Sequence, residues 1–176
     1  MALIDVEIDG LTESVVHVQS GRRHATRIVR WGELTSRQQN VVQDWRFDWG
    51  GEIVSDDRDV FALLLRRGAA LQGLMSMHDD SGFVFVHLIE SAPKNIGRSK
   101  TYLGVPGNLM AFACLRSMHL GFDGYVSFDA KSELIAHYER TLGARRTGSS
   151  TRMIIVEQAA RELIRQYFKE DDQWPT

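Results

Sequence analysis

Residues 83–89, FVFVHLI, constrain the fold more than any other part of the chain. They are nearly all apolar and β-prone, without the alternation of a strand that has one solvated face. The run therefore predicts a strand that is covered on both faces. A polar loop over 90–103 follows, and then an apolar helix over 106–119, because Pro106 suits a first helical turn. With a short strand at 125–128, this stretch predicts a strand–helix–strand unit with parallel strands.

Shorter elements are predicted on both sides of this unit. Before it, the patterns indicate strands at 4–8, 15–19 and 26–31, a helix over 36–45, and a hairpin of 59–66 with 71–77. After it, they indicate a helix over 132–142, short strands at 145–147 and 153–156, and a helix over 157–170. The order predicts an α/β fold: a mixed, mostly antiparallel sheet with a central parallel unit, flanked by helices.

The last of these helices carries an apolar stripe at helical spacing, formed by Ala160, Leu163, Ile164, Tyr167 and Phe168. A stripe of that size needs a cover on a soluble protein. We expect the chain's own sheet to provide it, with a homodimer nearby. No repeat, linker or low-complexity stretch interrupts the sequence, so residues 1–176 are interpreted as one domain.

Composition excludes several classes of function. The formal net charge is −2, which gives no strong field for steering onto nucleic acid or an anionic membrane. The single cysteine, Cys114, excludes an internal disulfide, and the six histidines lack the spacing of a zinc site. Residues 1–10 are acidic and do not have the order of a signal peptide, and no apolar run is long enough to span a bilayer. We therefore expect a cytoplasmic protein without a metal.

The start of the helix after Gly104 is the candidate binding feature. A helix start presents unpaired backbone N–H groups and the positive end of the helix dipole, so it can hold a pyrophosphate without a basic side chain. Glycine lets the backbone approach such a ligand closely. By itself the pattern is not specific, because many strand–helix turns contain glycine.

In its wider context the stretch resembles the acyl-CoA-binding core of the GNAT acetyltransferases. Residues 101–106, TYLGVP, stand at the six positions of the family's Q/R-x-x-G-x-G/A loop, with Leu109 at the apolar position that follows. Thr101 and Pro106 depart from that pattern, and proline removes one N–H donor. Residues 131–143, KSELIAHYERTLG, resemble the family's tyrosine helix, although Tyr138 precedes the glycine by five positions rather than four.

The resemblance covers about residues 26–156, which leaves extra N-terminal strands at 1–25 and the C-terminal helix at 157–170. A narrower bacterial group of the superfamily has a similar run of IESAP, YLGVPGNLMAFAC and GFDGYVSFDAK. The resemblance implies an N-acyltransferase that moves an acetyl group from acetyl-CoA to a primary amine by direct attack. The acceptor is expected to be a small molecule or a peptide. The alternative is a catalytically weak CoA-binding or protein-interaction module.

The resemblance also implies roles for particular residues. Tyr138 is the expected acid for the leaving thiolate, and Glu90, at the end of the central strand, is the expected base, directly or through water. His87 is the alternative base, although a core histidine is the simpler interpretation. Tyr138 equally continues an apolar helix face, so both interpretations of it stay open. The implied cofactor-binding residues are Ile89, Ser91, Leu103, Gly104, Val105, Gly107 and Asn108.

An aromatic and acidic cluster is the candidate acceptor site. Trp45, Asp48 and Trp49 combine ring faces with a carboxylate, which suits a cationic amine. In the resembling family this early helical region helps to form the acceptor site. Large aromatic residues also pack in cores without binding anything, and that alternative stays open.

Overall fold

The protein is built around a seven-stranded sheet with helices on both faces. The computed structural model describes residues 3–10 and 14–168. In chain order the strands are β1 (Val15–His17), β2 (Arg23–His24), β3 (Thr26–Arg30), β4 (Asp59–Leu65), β5 (Leu71–Asp79), β6 (Val84–Ser91), β7 (Tyr102–Leu103), β8 (Val126–Asp129), β9 (Arg145–Arg146) and β10 (Arg152–Ile155). The helices are α1 (Ser36–Asn40), α2 (Trp49–Val54), α3 (Val105–His119), α4 (Ile135–Leu142) and α5 (Glu157–Tyr167).

The strand order of the large sheet is β3-β4-β5-β6-β8-β10-β9. Every neighbouring pair is antiparallel except β6 and β8, which are parallel and connected through α3. A second, smaller sheet has the order β2-β1-β7. The predicted fold class, a mixed and mostly antiparallel sheet with one parallel unit, is therefore confirmed.

The parallel pair separates part-way along its length. β6 and β8 are paired at Val84–Val86 against Val126–Phe128, and beyond these positions they share no register. The second half of β6 stays paired with β5, as far as Ser91, while β8 stays paired with β10. A cleft therefore opens between the carboxyl ends of β6 and β8, next to the start of α3.

Helix α3 fixes one wall of this cleft. It begins after Gly104, whose φ of +96° lies in the left-handed region that glycine adopts most readily. The helix is buried along most of its length and packs on β5, β6 and α5. Gly73 of β5 permits this approach, because a Cβ there would lie 2.6 Å from the Val105 side chain.

Several predicted elements differ from the structure, among them the helix predicted over 132–142, which is divided because residues 132–134 form a 3₁₀ turn before α4. Residues 4–8 form no strand and share a single parallel bridge, from Ile4 to Ala130. The predicted helix over 36–45 is divided, because α1 ends at Asn40 and residues 41–44 form a 3₁₀ turn. The last helix ends at Tyr167, where Phe168 is extended, and the predicted residues 169–170 lie outside the described part of the chain.

The stripe on α5 is covered by the chain itself, as predicted, but by a different element. Ala160, Leu163 and Tyr167 are buried, and α5 packs against α3 rather than directly on the sheet. Gly124 lies under the same helix, since a Cβ there would come 2.6 Å from the Ala160 side chain. None of the described helices has the length and apolar character needed to cross a membrane.

Candidate active site

A cavity of about 260 Å³ lies against the end of β6, where β6 and β8 have separated. Its walls come from the end of β6, the loop before α3 and the N-terminal segment, which we define as residues 3–10. Two predicted cofactor-binding residues, Ile89 and Ser91, line it together with Glu90, the predicted base. Lys100 of the loop and Pro106 of α3 line it too, but the other predicted cofactor-binding residues are not among its lining residues: Leu103, Gly104, Val105, Gly107 and Asn108.

The loop before α3 already holds an anionic group. The Gly104 N–H donates a hydrogen bond to Asp9 Oδ1 at 3.0 Å, and Lys100 Nζ lies 2.9 Å from Asp9 Oδ2. A carboxylate therefore sits at the position predicted for a phosphate, at the positive end of a helix. Neither Asp9 nor Lys100 was identified from the sequence, because the two residues are 91 positions apart.

Two of the predicted cofactor-binding residues, Ser91 and Asn108, carry buried polar atoms. Ser91 and Asn108 are only 2% and 1% exposed. Within the described part of the chain, Ser91 Oγ and Asn108 Nδ2 have no hydrogen-bond partner. A buried polar group without a partner is unfavourable by roughly 1–3 kcal/mol. Ser91 lines the cavity and Asn108 lies in the first turn of α3, so a polar ligand such as CoA that reached both atoms would satisfy them.

The remaining loop residues have structural partners. Leu103 pairs with Val16 of β1, and the buried Val105 side chain packs at Gly73. A Cβ at Gly107 would overlap the Tyr167 hydroxyl and come 3.0 Å from the Gly10 carbonyl oxygen. Gly107 is therefore needed for α5 to approach α3, and a role in phosphate binding stays a prediction for all three residues.

Tyr138 is fully buried on α4, with its hydroxyl directed at the N-terminal segment. The hydroxyl donates to the Val6 carbonyl oxygen at 2.6 Å and accepts from the Val6 N–H at 3.2 Å. Its ring packs edge-on against Phe128. Burial raises the pKa of Tyr138, so the hydroxyl keeps its proton. The residue is thus a packing residue whose protonated hydroxyl holds the N-terminal segment, and its role as the acid stays a prediction.

Glu90 is 3% exposed, and its carboxylate is anchored by three donors. The backbone N–H of Arg46 donates at 2.7 Å, that of Phe47 at 3.2 Å, and the Trp49 indole Nε1 at 2.8 Å. One carboxylate therefore ties the end of the central strand to the segment that leads into α2. Since a carboxylate accepts about four hydrogen bonds, one acceptor position remains for the cavity.

The predicted acceptor residues meet at a second cavity, of about 570 Å³. Trp45 and Trp49 are buried in its wall, whereas Asp48 is exposed and caps α2 by accepting from the Gly50 N–H at 2.9 Å. Arg46 and Phe47 line both cavities. The acceptor candidates are therefore next to the cleft, with Glu90 beneath the shared wall.

The alternative base, His87, lies in a different cluster. Its Nε2 is 2.6 Å from His78 Nδ1, on the paired part of β5 and β6. Burial and the nearby Arg58 lower the pKa of His87 to about 4. Cys114 is fully buried in α3, and burial raises the pKa of its thiol. Within residues 3–10 and 14–168, no group of three or more potential ligands could hold a metal ion.

Solved structures with the same architecture were found by comparison of coordinates. A bacterial toxin superposes with a TM-score of 0.56 at 15% identity, over 84% of this chain and 99% of the toxin. A complex of AtaTR bound with acetyl-CoA gives 0.51 at 9% identity, over 78% and 97% of the two chains. The protein has the GNAT fold. The resemblance predicted from the sequence is confirmed at this level.

A further GNAT-fold match, the KacTA–DNA complex, has a TM-score of 0.51 at 11% identity and covers 80% of this chain and 99% of that one. Identities this low establish the fold and nothing finer. No protein-family model matches the sequence, and no curated protein does.

Proposed function

We propose that the protein is an N-acyltransferase that moves an acetyl group from acetyl-CoA to a primary amine in the cleft between β6 and β8. The observation that carries this proposal is the anion at the start of α3. There the Gly104 N–H holds a carboxylate, with Lys100 beside it. A diphosphate has the same charge sign and the same need for backbone donors.

The cofactor assignment has two further supports. A structure with the same fold contains acetyl-CoA. In this chain, Ser91 Oγ and Asn108 Nδ2 are buried without partners beside the cleft, and a polar ligand would satisfy them. Gly104, Val105 and Asn108 would hold the diphosphate, and Ile89 and Ser91 the pantetheine arm. When bound, acetyl-CoA supplies the reactive thioester.

The chain's own residues would move the protons. Glu90, fixed by three donors, accepts the proton of the attacking amine through a water molecule. As the new C–N bond forms and the C–S bond breaks, Tyr138 donates its proton to the leaving thiolate and regains one from solvent. The hydroxyl is protonated at neutral pH, as a proton donor must be.

The second cavity would admit the acceptor amine. The exposed Asp48 would attract a cation, Trp45 and Trp49 form part of the wall, and Arg46 and Phe47 separate the cavity from the thioester position. Its volume of about 570 Å³ suits a small molecule or the end of a peptide.

Thiol release from acetyl-CoA, measured against a panel of diamines, amino sugars and short peptides, tests the proposal. We expect at least one amine to be acetylated, and Glu90→Gln to reduce kcat by roughly 10²-fold. CoA binding without thiol release, for every amine, would favour the catalytically weak module instead. Absence of both would contradict the proposed function.

A further inference from the structure

We infer that the N-terminal segment, residues 3–10, occupies the acyl-CoA site in the free protein and is displaced when acyl-CoA binds. The segment would thus regulate access to the cleft. This inference rests on the proposed function, because it takes the cleft to be a CoA site. It also gives Lys100 a role in binding, as the cation that exchanges Asp9 for the diphosphate.

The segment bonds the edge of the sheet at Ile4, beside the end of β8. Ile4 N–H donates to the Asp129 carbonyl oxygen at 2.7 Å, and Lys131 N–H donates to the Ile4 carbonyl oxygen at 3.0 Å. These bonds, with the parallel bridge to Ala130, add the segment beside the end of β8. The free edge of a separated strand is a template for an extended ligand, and here the chain itself uses it.

Alternate residues of the segment are held by groups from two helices. Tyr138 of α4 bonds both backbone groups of Val6. His137, also on α4, has its Nε2 2.7 Å from the Ile8 N–H, which donates to it. The Tyr167 hydroxyl of α5 donates to the Gly10 carbonyl oxygen at 2.6 Å. The segment is therefore fixed in the cleft by hydrogen bonds along its length.

The other alternate positions are acidic. In an extended chain residues 5, 7 and 9 share one side, and all three carry carboxylates. Asp5 lies 3.0 Å from Arg46 and 3.4 Å from Lys131, and Asp9 lies 2.9 Å from Lys100. The segment thus presents an anionic face to the cationic groups around the cleft, as the phosphates of CoA would.

The segment and acyl-CoA cannot both use these groups. With the segment in place the cavity measures about 260 Å³, which is below the roughly 300–1,000 Å³ of ordinary ligand sites. The Gly104 N–H and the Tyr138 hydroxyl are already bonded to Asp9 and Val6. Because each would also be needed by the ligand, binding of one excludes the other.

The segment satisfies only part of the site. Ser91 Oγ and Asn108 Nδ2 remain without partners although both are buried. A ligand that also reaches these atoms gains interactions that the segment does not make, so displacement is favoured at sufficient concentration. The apparent affinity for CoA is reduced by the fraction of molecules in which the cleft is closed.

Calorimetric titration of CoA into the full-length protein tests the inference. Asp9→Asn removes the charge that holds Gly104 and Lys100, so we expect CoA to bind at least tenfold more tightly, a change of about 1.4 kcal/mol. Glu7→Gln is the matched control. Glu7 lies on the same segment and carries the same charge, but it is exposed and forms no hydrogen bond or ion pair within the described residues. Because Glu7 also lines the cavity, Glu7→Gln measures the effect of losing one negative charge there, and it should tighten CoA binding by less than Asp9→Asn does.

A second variant guards against a folding defect in the first. Tyr167→Phe removes the bond to the neighbouring Gly10 without altering a charge, and it should also tighten CoA binding, by a smaller factor. If CoA binds the unaltered protein and both variants equally, the inference is wrong while the proposed cofactor stands. If CoA binds none of the three, the inference and the proposed function both fall.

Discussion

Tyr138 has two roles in this account, and one substitution separates them. Tyr138→Phe keeps the ring that packs on Phe128 but removes the hydroxyl bonded to Val6. We expect kcat to fall by roughly 10²-fold, because the thiolate loses its acid, while CoA binds more tightly because the segment is loosened. Steady-state kinetics and calorimetry on the same preparation measure the two effects.

Tyr167→Phe is the matched control for this variant. It also removes one bond to the segment, at Gly10, but its hydroxyl lies at α5 rather than on the tyrosine helix. Its kcat should therefore stay close to that of the unaltered protein. An equal loss of kcat in both variants would exclude Tyr138 as the acid and leave it a packing residue.

His87 gives a prediction for pH. Burial lowers its pKa from 6.5 to about 4, so the folded protein keeps it neutral while the unfolded chain protonates it below 6.5. The unfolded state then binds more protons than the folded state. The contribution of His87 to stability is therefore fully present above pH 6.5 and is lost as the pH falls toward 4. His87→Gln removes this contribution, so its melting temperature should fall less steeply between pH 6.5 and 5. If the melting temperatures of the two proteins fall by the same amount across that range, the prediction is wrong.

At the scale of elements, helix α5 supports both α3 and the segment. Leu163 is 3% exposed in its contact with α3. Leu163→Ala should lower the free energy of unfolding by about 2–5 kcal/mol, because it leaves a cavity under a helix that cannot collapse freely. Glu162→Ala, at an exposed position on the same helix, is the control and should change it by about 0.5 kcal/mol or less. Urea denaturation followed by circular dichroism compares them, and similar losses would show that α5 is not packed as described.

The elements with the strongest patterns were predictable from the sequence. The hairpin of β4 and β5, the unbroken apolar strand β6 and the helix α3 after Gly104 all appear within two residues of their expected bounds. Local residue type decides these elements. The prediction of one helix over 36–45 is wrong, because residues 41–44 form a 3₁₀ turn before the buried Trp45. Trp45 is held in place by tertiary packing, which a helical pattern does not reveal.

Residues 4–8 illustrate why the rest could not be predicted. Their alternation, IDVEI, reads as an ordinary strand with one solvated face. In the structure they have no full strand partner, because their hydrogen bonds go to Asp129, Tyr138 and His137, more than a hundred residues away. For the same reason, the sequence predicts Gly104 as a binding residue but does not indicate Asp9, which accepts the hydrogen bond of the Gly104 N–H.

At the scale of the whole molecule, the cleft depends on parts that are far apart in the chain. β6 and β8 separate, α3 starts beside the gap, and a segment from the N-terminal end of the chain fills it. The acceptor cavity shares a wall with that cleft through Arg46 and Phe47. A homodimer, and the exclusion of nucleic acid that the net charge suggests, stay predictions.

Hydrogen exchange of the protein, with and without acetyl-CoA, tests directly whether acyl-CoA binds between β6 and β8 and displaces the N-terminal segment. At saturating acetyl-CoA, we expect the amide exchange rates of two segments to change in opposite directions. Amides of residues 103–109 should exchange more slowly, because the loop and the start of α3 bind the diphosphate, and amides of residues 4–10 should exchange faster, because they leave the cleft. Unchanged exchange at residues 103–109 would contradict an acyl-CoA site between β6 and β8.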